Sequence, residues 1–367
     1  MDLKRVCRWL AVGTLAISLA PLTHADGRLN VYNWAAYIAD DTVEKFEKET
    51  GIHVTYDVYD NNEILEGKLL AGNTGYDVVV PSVDFLARQI QAGIYQPLDK
   101  KKLTNYDQLD PELLAKVAPL DPGNTYAVPY MWGSTGIGYD RSKVVERLGK
   151  DAPLDSWALL FDPKNLARLT DCGVAFLDSP VDVFSSVLIY LGKDPNPTNP
   201  ADYQGEALSL LRSLKPYITY FHSSKYIDDL AAGEICVALG FSGDVAQARA
   251  SAEEADNGVD ITYVIPREGA LMYFDMLAIP KDARNVNEAH RFIDYLMRPD
   301  IAAANTNYIW YPNPVPASAP LVDDAIRNDP SIYPPESVRQ KLWVSKVRPP
   351  KVDRVLNRAW TEVKTGT

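Results

Sequence analysis

The chain is predicted to be an α/β protein built in two lobes. Short strand–helix units follow one another from Leu29 to Ala92. The same order of strand, polar turn and helix returns after Val174. Between these regions the run Tyr126–Asp140, YAVPYMWGSTGIGYD, reads as extended chain crossing from one lobe to the other. Tight alternation of this kind builds a largely parallel sheet covered by helices. At 367 residues, 46% hydrophobic and 23% charged, the chain has length for two such cores. Lobes joined by strands suit a hinge, not a flexible tether.

An export signal precedes the first strand. Lys4, Arg5 and Arg8 lead into an apolar run, Trp9–Ala20, and Thr23-His24-Ala25 places small residues before a cut after Ala25. That is a cleaved signal peptide over 1–25, too short to anchor as a membrane span. Cys7 leaves with it. Removing Lys4, Arg5, Arg8 and Asp2 subtracts a net +2, so the formal charge of −12 becomes −14. Such an acidic exported protein is a poor match for nucleic acid and a better one for cations. Cys172 and Cys236 remain, in an oxidising compartment. They would form one disulfide closing a long loop, or stay as two buried thiols.

The elements follow in order. The organising stretch is Leu29–Tyr37, LNVYNWAAY, a first strand with Trp34 in the turn that follows. Asp41-Thr42-Val43-Glu44 reads as a carboxylate cap with Glu three residues on, opening a helix that Gly51 stops. A strand over Ile52–Val58, a helix over Asn62–Ala71 closed by Gly72, a strand over Asp77–Val80 and a helix over Asp84–Ala92 complete the first run. Leu154–Leu169 is helical but broken by proline. Val174–Leu177 is a strand, followed by a helix from Val181 to Tyr190 with Asp182 in its first turn. Ala207–Leu214 is a helix, Tyr217–Phe221 a strand, Ile227–Ala232 a helix and Ile235–Gly240 a strand ending at Phe241-Ser242-Gly243-Asp244. Val259–Ile265 and Tyr273–Ile279 are strands, and Asn287–Met297 is a helix. Asn307–Pro316 is an aromatic, proline-rich loop, and the tail is mostly helical.

Catalytic signatures are missing. His24, His53, His222 and His290 show no metal-ligand spacing, and neither Gly-x-Ser-x-Gly nor a P-loop occurs. Asp182 and Asp244 could serve as a glycosidase pair only by facing each other across a sugar. What recurs is an acid or an aromatic ring at strand ends: Trp34, Tyr37, Ser82, Asp84, Asp182, Phe241, Asp244, Tyr273, Asp275 and Tyr311. Aromatic faces attract a desolvated ammonium by roughly 1 to 2 kcal/mol, and carboxylates give charge-assisted hydrogen bonds. A slot with aromatic walls and acids at its ends suits a linear alkyl diamine.

Long segments carry a family resemblance: VYNWAAYIADDTVEKFEKETG, GYDVVVPSVDFLARQ, PYMWGSTGIGYD, YFHSSKYIDDLAAGEICVALGFSGD and EGALMYFDMLAIP. From about Leu29 onward the chain resembles the periplasmic polyamine-binding proteins of bacterial ABC transporters, most of all the putrescine-binding type. The resemblance implies a type II periplasmic binding protein fold, each lobe a mixed sheet flanked by helices, with the ligand cleft at the hinge. The lobes would be 28–134 plus 274–319 and 135–273 plus 320–367. It implies that Trp34, Tyr37, Phe241, Tyr273 and Tyr311 wall the slot, that Ser82 and Ser223 line it, and that Asp182, Asp244 and Asp275 hold the amines. It implies a Cys172–Cys236 disulfide, no cofactor or metal, no catalysis, a monomer, and delivery of the amine to permease subunits of the inner membrane.

Four positions depart from the putrescine type. Ala35 and Ala36 stand where a hydroxyl and a carboxylate are expected, Phe241 where a tryptophan is usual, and Asp84 where a small polar residue is usual. Asp84 could restore a negative charge to the slot. The departures point to a shifted preference, with agmatine, cadaverine or an amino acid as the alternative ligands.

Overall fold

The computed structural model describes residues 27–366; the expected export signal, with Cys7, lies outside them. Ten strands form one continuous sheet, β1 (Arg28–Trp34), β2 (His53–Tyr59), β3 (Val78–Val79), β4 (Ala127–Asp140), β5 (Val174–Phe176), β6 (Tyr220–Phe221), β7 (Val237–Phe241), β8 (Ile261–Val264), β9 (Ala270–Ala278) and β10 (Leu342–Trp343). The order is β2-β1-β3-β9-β4-β7-β5-β6, with β10 on β9 and β8 on β4. β2, β1 and β3 are parallel and are closed by antiparallel β9. β6, β5 and β7 are likewise parallel and are closed by antiparallel β4. The halves therefore repeat one plan.

The crossing expected at Tyr126–Asp140 is β4 itself. Ala127–Ser134 pairs with β9 in the first half, and Thr135–Asp140 pairs with β7 and β8 in the second. A register shift falls at Pro129, which has no N–H to give to a ladder. The glycines beyond it make room. A Cβ on Gly133 would lie 2.5 Å from the Tyr273 hydroxyl, and one on Gly136 would lie 2.4 Å from the Val264 carbonyl oxygen.

Alternation along β1 serves two layers. Leu29 and Val31 enter one cluster with Phe46 and Phe292, while Tyr32 enters another with Leu65, Leu86 and Phe274. The second half has its own core, built on Trp157, Phe161, Phe176, Phe184 and Trp360. Each such side chain contributes about 1.5–3 kcal/mol when fully buried. Cys172 and Cys236 are joined, with Cα atoms 5.4 Å apart across 64 residues of sequence. Closing a loop of that length removes about 4 kcal/mol of unfolded-chain entropy.

Several expectations need correction. Trp34 is the last residue of β1, because pairing with β2 continues to Tyr59. Asp41 makes no cap hydrogen bond; its carboxylate goes to Lys45 at 2.7 Å. The strand expected over Tyr217–Phe221 begins at Tyr220, because Lys215–Tyr217 closes as a 3-10 turn. The loop expected from Asn307 begins later. A helix runs over Pro299–Ile309 and stops at Trp310 in the left-handed region (φ 61°). Helices at Pro111–Val117 and Arg141–Leu148 were also unassigned from sequence.

Candidate functional site

All eleven residues singled out from sequence line one cavity: Trp34, Tyr37, Ser82, Asp84, Asp182, Ser223, Phe241, Asp244, Tyr273, Asp275 and Tyr311. Strand ends and helix starts bring them together, as expected at the edge of an open α/β sheet. Asp84, Asp182 and Asp244 each sit in the first turn of a helix, at Val83–Gln91, Pro180–Tyr190 and Ser242–Ala255. The helix dipole favours an acid there by about 0.3–1 kcal/mol, so position alone does not mark them as ligands. Asp275 lies inside β9 and has no such role.

Three of these carboxylates share one arrangement. Asp275 is buried and accepts from the Ser82 hydroxyl at 2.6 Å and the Tyr37 hydroxyl at 2.8 Å. Asp244 is buried and accepts from Tyr311 at 2.6 Å and Tyr226 at 2.7 Å. Asp182 is buried and accepts from Thr135 and Ser179, both at 2.5 Å. Among the described residues none of the three pairs with a Lys, Arg or His side chain.

Burial pushes Asp275 up to about 7; the Ser82 and Tyr37 hydroxyls pull it back, and the charges of Asp84 and Asp182 raise it further. Burial pushes Asp244 up to about 6 against its two tyrosine donors. Asp182 is raised as well, by burial first. Two hydroxyl donors apiece soften the desolvation without cancelling it.

Neighbouring groups fix these acceptors. Asn62 accepts from the Ser82 N–H and donates to the Ser82 oxygen, each at 3.0 Å, which aims the Ser82 proton at Asp275. The Tyr226 hydroxyl accepts from the Phe241 N–H at 2.8 Å while donating to Asp244. Gly243 matters to the same acid. A Cβ there would lie 2.3 Å from the Tyr311 ring, so only glycine lets that ring pack beside Asp244.

The walls are aromatic. The Trp34 indole donates to the Val80 carbonyl at 2.9 Å and tilts against Tyr59. Tyr37 meets Tyr311 edge-on with centroids 4.9 Å apart, and Phe241 meets Tyr273 at 5.2 Å. The Tyr273 hydroxyl oxygen is buried and, among the described residues, makes no hydrogen bond of good geometry. The Ser223 hydroxyl accepts from the Asp178 N–H at 3.2 Å and keeps its own proton to donate.

Asp84 differs from the other three acids. Its carboxylate accepts from Ser345 at 3.2 Å and faces the Arg348 guanidinium at 3.4 Å. The charge it was expected to restore to the slot is already compensated. Ala35 lines the cavity and brings no polar group to it. Ala36 sits in the left-handed region (φ 52°).

Sequence reasoning missed part of the lining. Asp60 and Asn61 form the turn after β2 and Asn62 and Glu63 open the helix Asn62–Ala71, while the Ser224 hydroxyl donates to Asp60 at 3.1 Å. Burial pushes Glu63 up to about 7, with Asp84 and Asp178 adding to the rise. The signal was available: this turn is also a strand end before a helix. Asn61 serves as that helix's cap, which is the role its position suggests on its own.

Comparison with known proteins follows the same lines. A family model described as bacterial extracellular solute-binding protein matches residues 41–334. The putrescine-binding periplasmic protein PotF of Escherichia coli (strain K12) is 54% identical over 363 residues, 98% of either chain. The putrescine-binding periplasmic protein SpuD of Pseudomonas aeruginosa (strain UCBPP-PA14) is 53% identical over 366 residues, 99% of this chain and 100% of that one. Among solved structures, the spermidine/putrescine ABC transporter substrate-binding protein PotD of Streptococcus pneumoniae superposes with a TM-score of 0.74 at 26% identity, covering 92% of this chain and 99% of that one.

Proposed function

The chain belongs to the bacterial extracellular solute-binding protein family and has the type II, two-lobed fold; from that premise we propose that it captures putrescine, or an amine of the same charge and similar length, between its lobes. In this reading it works in the periplasm, exported by a signal peptide cut after Ala25, and hands its ligand as a monomer to an ABC permease. The lobes are 28–134 with 274–319 and 135–273 with 320–367. No bond in the ligand is made or broken.

One observation carries the reading: Asp182, Asp244 and Asp275 are buried on a single cavity, each with two hydroxyl donors and, among the described residues, no cation. Uncompensated buried carboxylates are costly. A dication with an alkyl spine supplies what they lack, and its methylenes pack on Trp34, Tyr37, Phe241, Tyr273 and Tyr311. Ser82 and Ser223 complete the polar contacts. Closure follows because only the closed form surrounds the ammonium groups from both lobes, and a ligand shifts a conformational equilibrium only by such a difference.

Proton linkage tests this. Bound to an ammonium, the acids are ionised; empty, Asp275 and Asp244 take up protons near 7 and 6. Affinity for putrescine is therefore full above about pH 7 and falls by about one decade per pH unit below it, more steeply below about pH 6. The empty protein behaves oppositely. Its stability declines as pH rises from about 4 to about 7, where the unfolded chain has lost these protons and the folded one has not. Calorimetric titration of the mature protein across this range is the check. Affinity that stays flat on acidification, or the absence of amine binding at about pH 8, overturns the reading.

A further inference from the structure

Of the acids on the cavity, Asp84, Asp182, Asp244 and Asp275 are the most buried, and among the described residues only Asp84 of these four has a cation of its own. Asp84 accepts from Ser345 and faces Arg348, and the Arg348 Nη1 also donates to the Ser345 hydroxyl at 3.1 Å. Arg348 is buried, at 7% exposure. Its Nε donates to Asp353 at 2.7 Å, and Asp353 in turn lies 3.5 Å from Arg88, which is paired with Glu66. The guanidinium is thus held in place from its far side as well. It does not line the cavity itself.

The consequence concerns ligand charge. Asp182, Asp244 and Asp275 offer places for ammonium groups, while the fourth station is filled by a tethered protein cation. We propose that Arg348 is a specificity-determining residue: by occupying Asp84 it fits the slot to amines with two charges and turns away those with three. A third ammonium arriving at Asp84 meets a neutralised acid and a fixed like charge. It loses the attraction that would offset its own desolvation. The inference rests on the amine reading above and sharpens it from amines in general to diamines over triamines. Asp84 then acts on the ligand through Arg348 and not by holding it.

The test is calorimetric titration of the full mature chain with putrescine and with spermidine. Arg348→Met removes the charge and keeps much of the side chain's bulk. The spermidine-to-putrescine affinity ratio is expected to rise about tenfold in that variant. Asp84→Asn does the reverse: it leaves Arg348 uncompensated on its cavity side, so both amines bind more weakly and the triamine loses more. Adding Arg348→Met to Asp84→Asn removes the stranded charge, and putrescine affinity is expected to recover by about tenfold from the single variant.

An unmoved ratio in Arg348→Met overturns the proposal. So does a double variant no tighter for putrescine than Asp84→Asn alone, because that would make Asp84 a direct ligand. If Arg348→Met does not fold, Asp84→Asn decides: equal loss for the two amines, no loss, or a gain for spermidine overturns the proposal. Failure here is separable from failure of the amine reading. A parent protein that binds neither amine takes both down. A parent that binds putrescine while the variants leave the ratio in place takes down only this one.

Discussion

The two halves of the sheet share a plan, three parallel strands closed by one antiparallel crossing strand, yet they build their acid sites differently. Asp275 takes both hydroxyls, Tyr37 and Ser82, from the half in which β1 and β3 lie. Asp182 takes both of its own, Thr135 and Ser179, from the other half. Asp244 is split. Tyr226 belongs to its own half, but Tyr311 packs in the core of the first. Two anchors are therefore finished within one half, and the third is finished only when the halves meet. In the clamp proposed above, Asp275 and Asp182 would be set before ligand arrives, and Asp244 would report closure.

The largest effects should come from removing the charges themselves. Asp275→Asn and Asp244→Asn each leave an ammonium without its charged partner, a loss of about 3–5 kcal/mol, which is a hundredfold or more in affinity. The empty variants should melt no lower than the parent near neutral pH, because each loses a carboxylate whose ionisation opposes folding. The pH profile then separates the two. Asp275→Asn keeps only the lower inflection in putrescine affinity, near 6, and Asp244→Asn keeps only the upper one, near 7. Calorimetry of both variants across pH is the measurement. Inflections that do not follow the deleted acid would break the assignment.

The hydroxyl donors sharpen the contrast between an anchor within one half and an anchor shared by both. Tyr37→Phe and Tyr311→Phe each delete one donor to a buried carboxylate, about 1.5–3 kcal/mol for a hydrogen bond to a charged group. Without Tyr37, Asp275 holds its proton more tightly, so the loss in putrescine affinity at neutral pH should largely vanish at about pH 8.5. Without Tyr311 the same acid effect occurs at Asp244, and a link between the halves is lost as well. That second part does not titrate, so a deficit should persist at the higher pH. Equal recovery in the two variants would mean that Tyr311 does not help to close the clamp.

How much of this could be read from residues alone follows from local signals. Strand ends before helix starts were visible, and with the family resemblance they placed all eleven residues on the cavity that the structure forms. The capping motif at Asp41 was visible too, but Lys45 on the same helix took the carboxylate. Asn62 and Glu63 lay at an equivalent strand end and were absorbed into a helix start, a role polar residues fill whether or not a cavity is near. The helix Pro299–Ile309 was missed because its small and polar residues give little apolar period. Nothing local could connect Asp84 with Arg348, which are 264 residues apart. Such a pair is set by how the tail folds back, and it compensates the charge that Asp84 was expected to bring to the slot.

The smallest effect lies in the turns that lead out of the strands. In the second half, β7 runs directly into the helix that carries Asp244, with no intervening turn. In the first half, β1 ends at Trp34, and Ala36 sits at φ 52° between the two walls Trp34 and Tyr37. A Cβ in that region costs about 1–2 kcal/mol. Glycine removes the clash and gives back part of the gain as unfolded-chain entropy. Ala36→Gly should therefore stabilise the empty protein by about 0.5–1 kcal/mol, read by urea denaturation. A glycine placed in regular backbone would instead destabilise by a similar amount. Loss of stability in Ala36→Gly would thus show that this turn is not strained, and that the two halves leave their strands at equal cost.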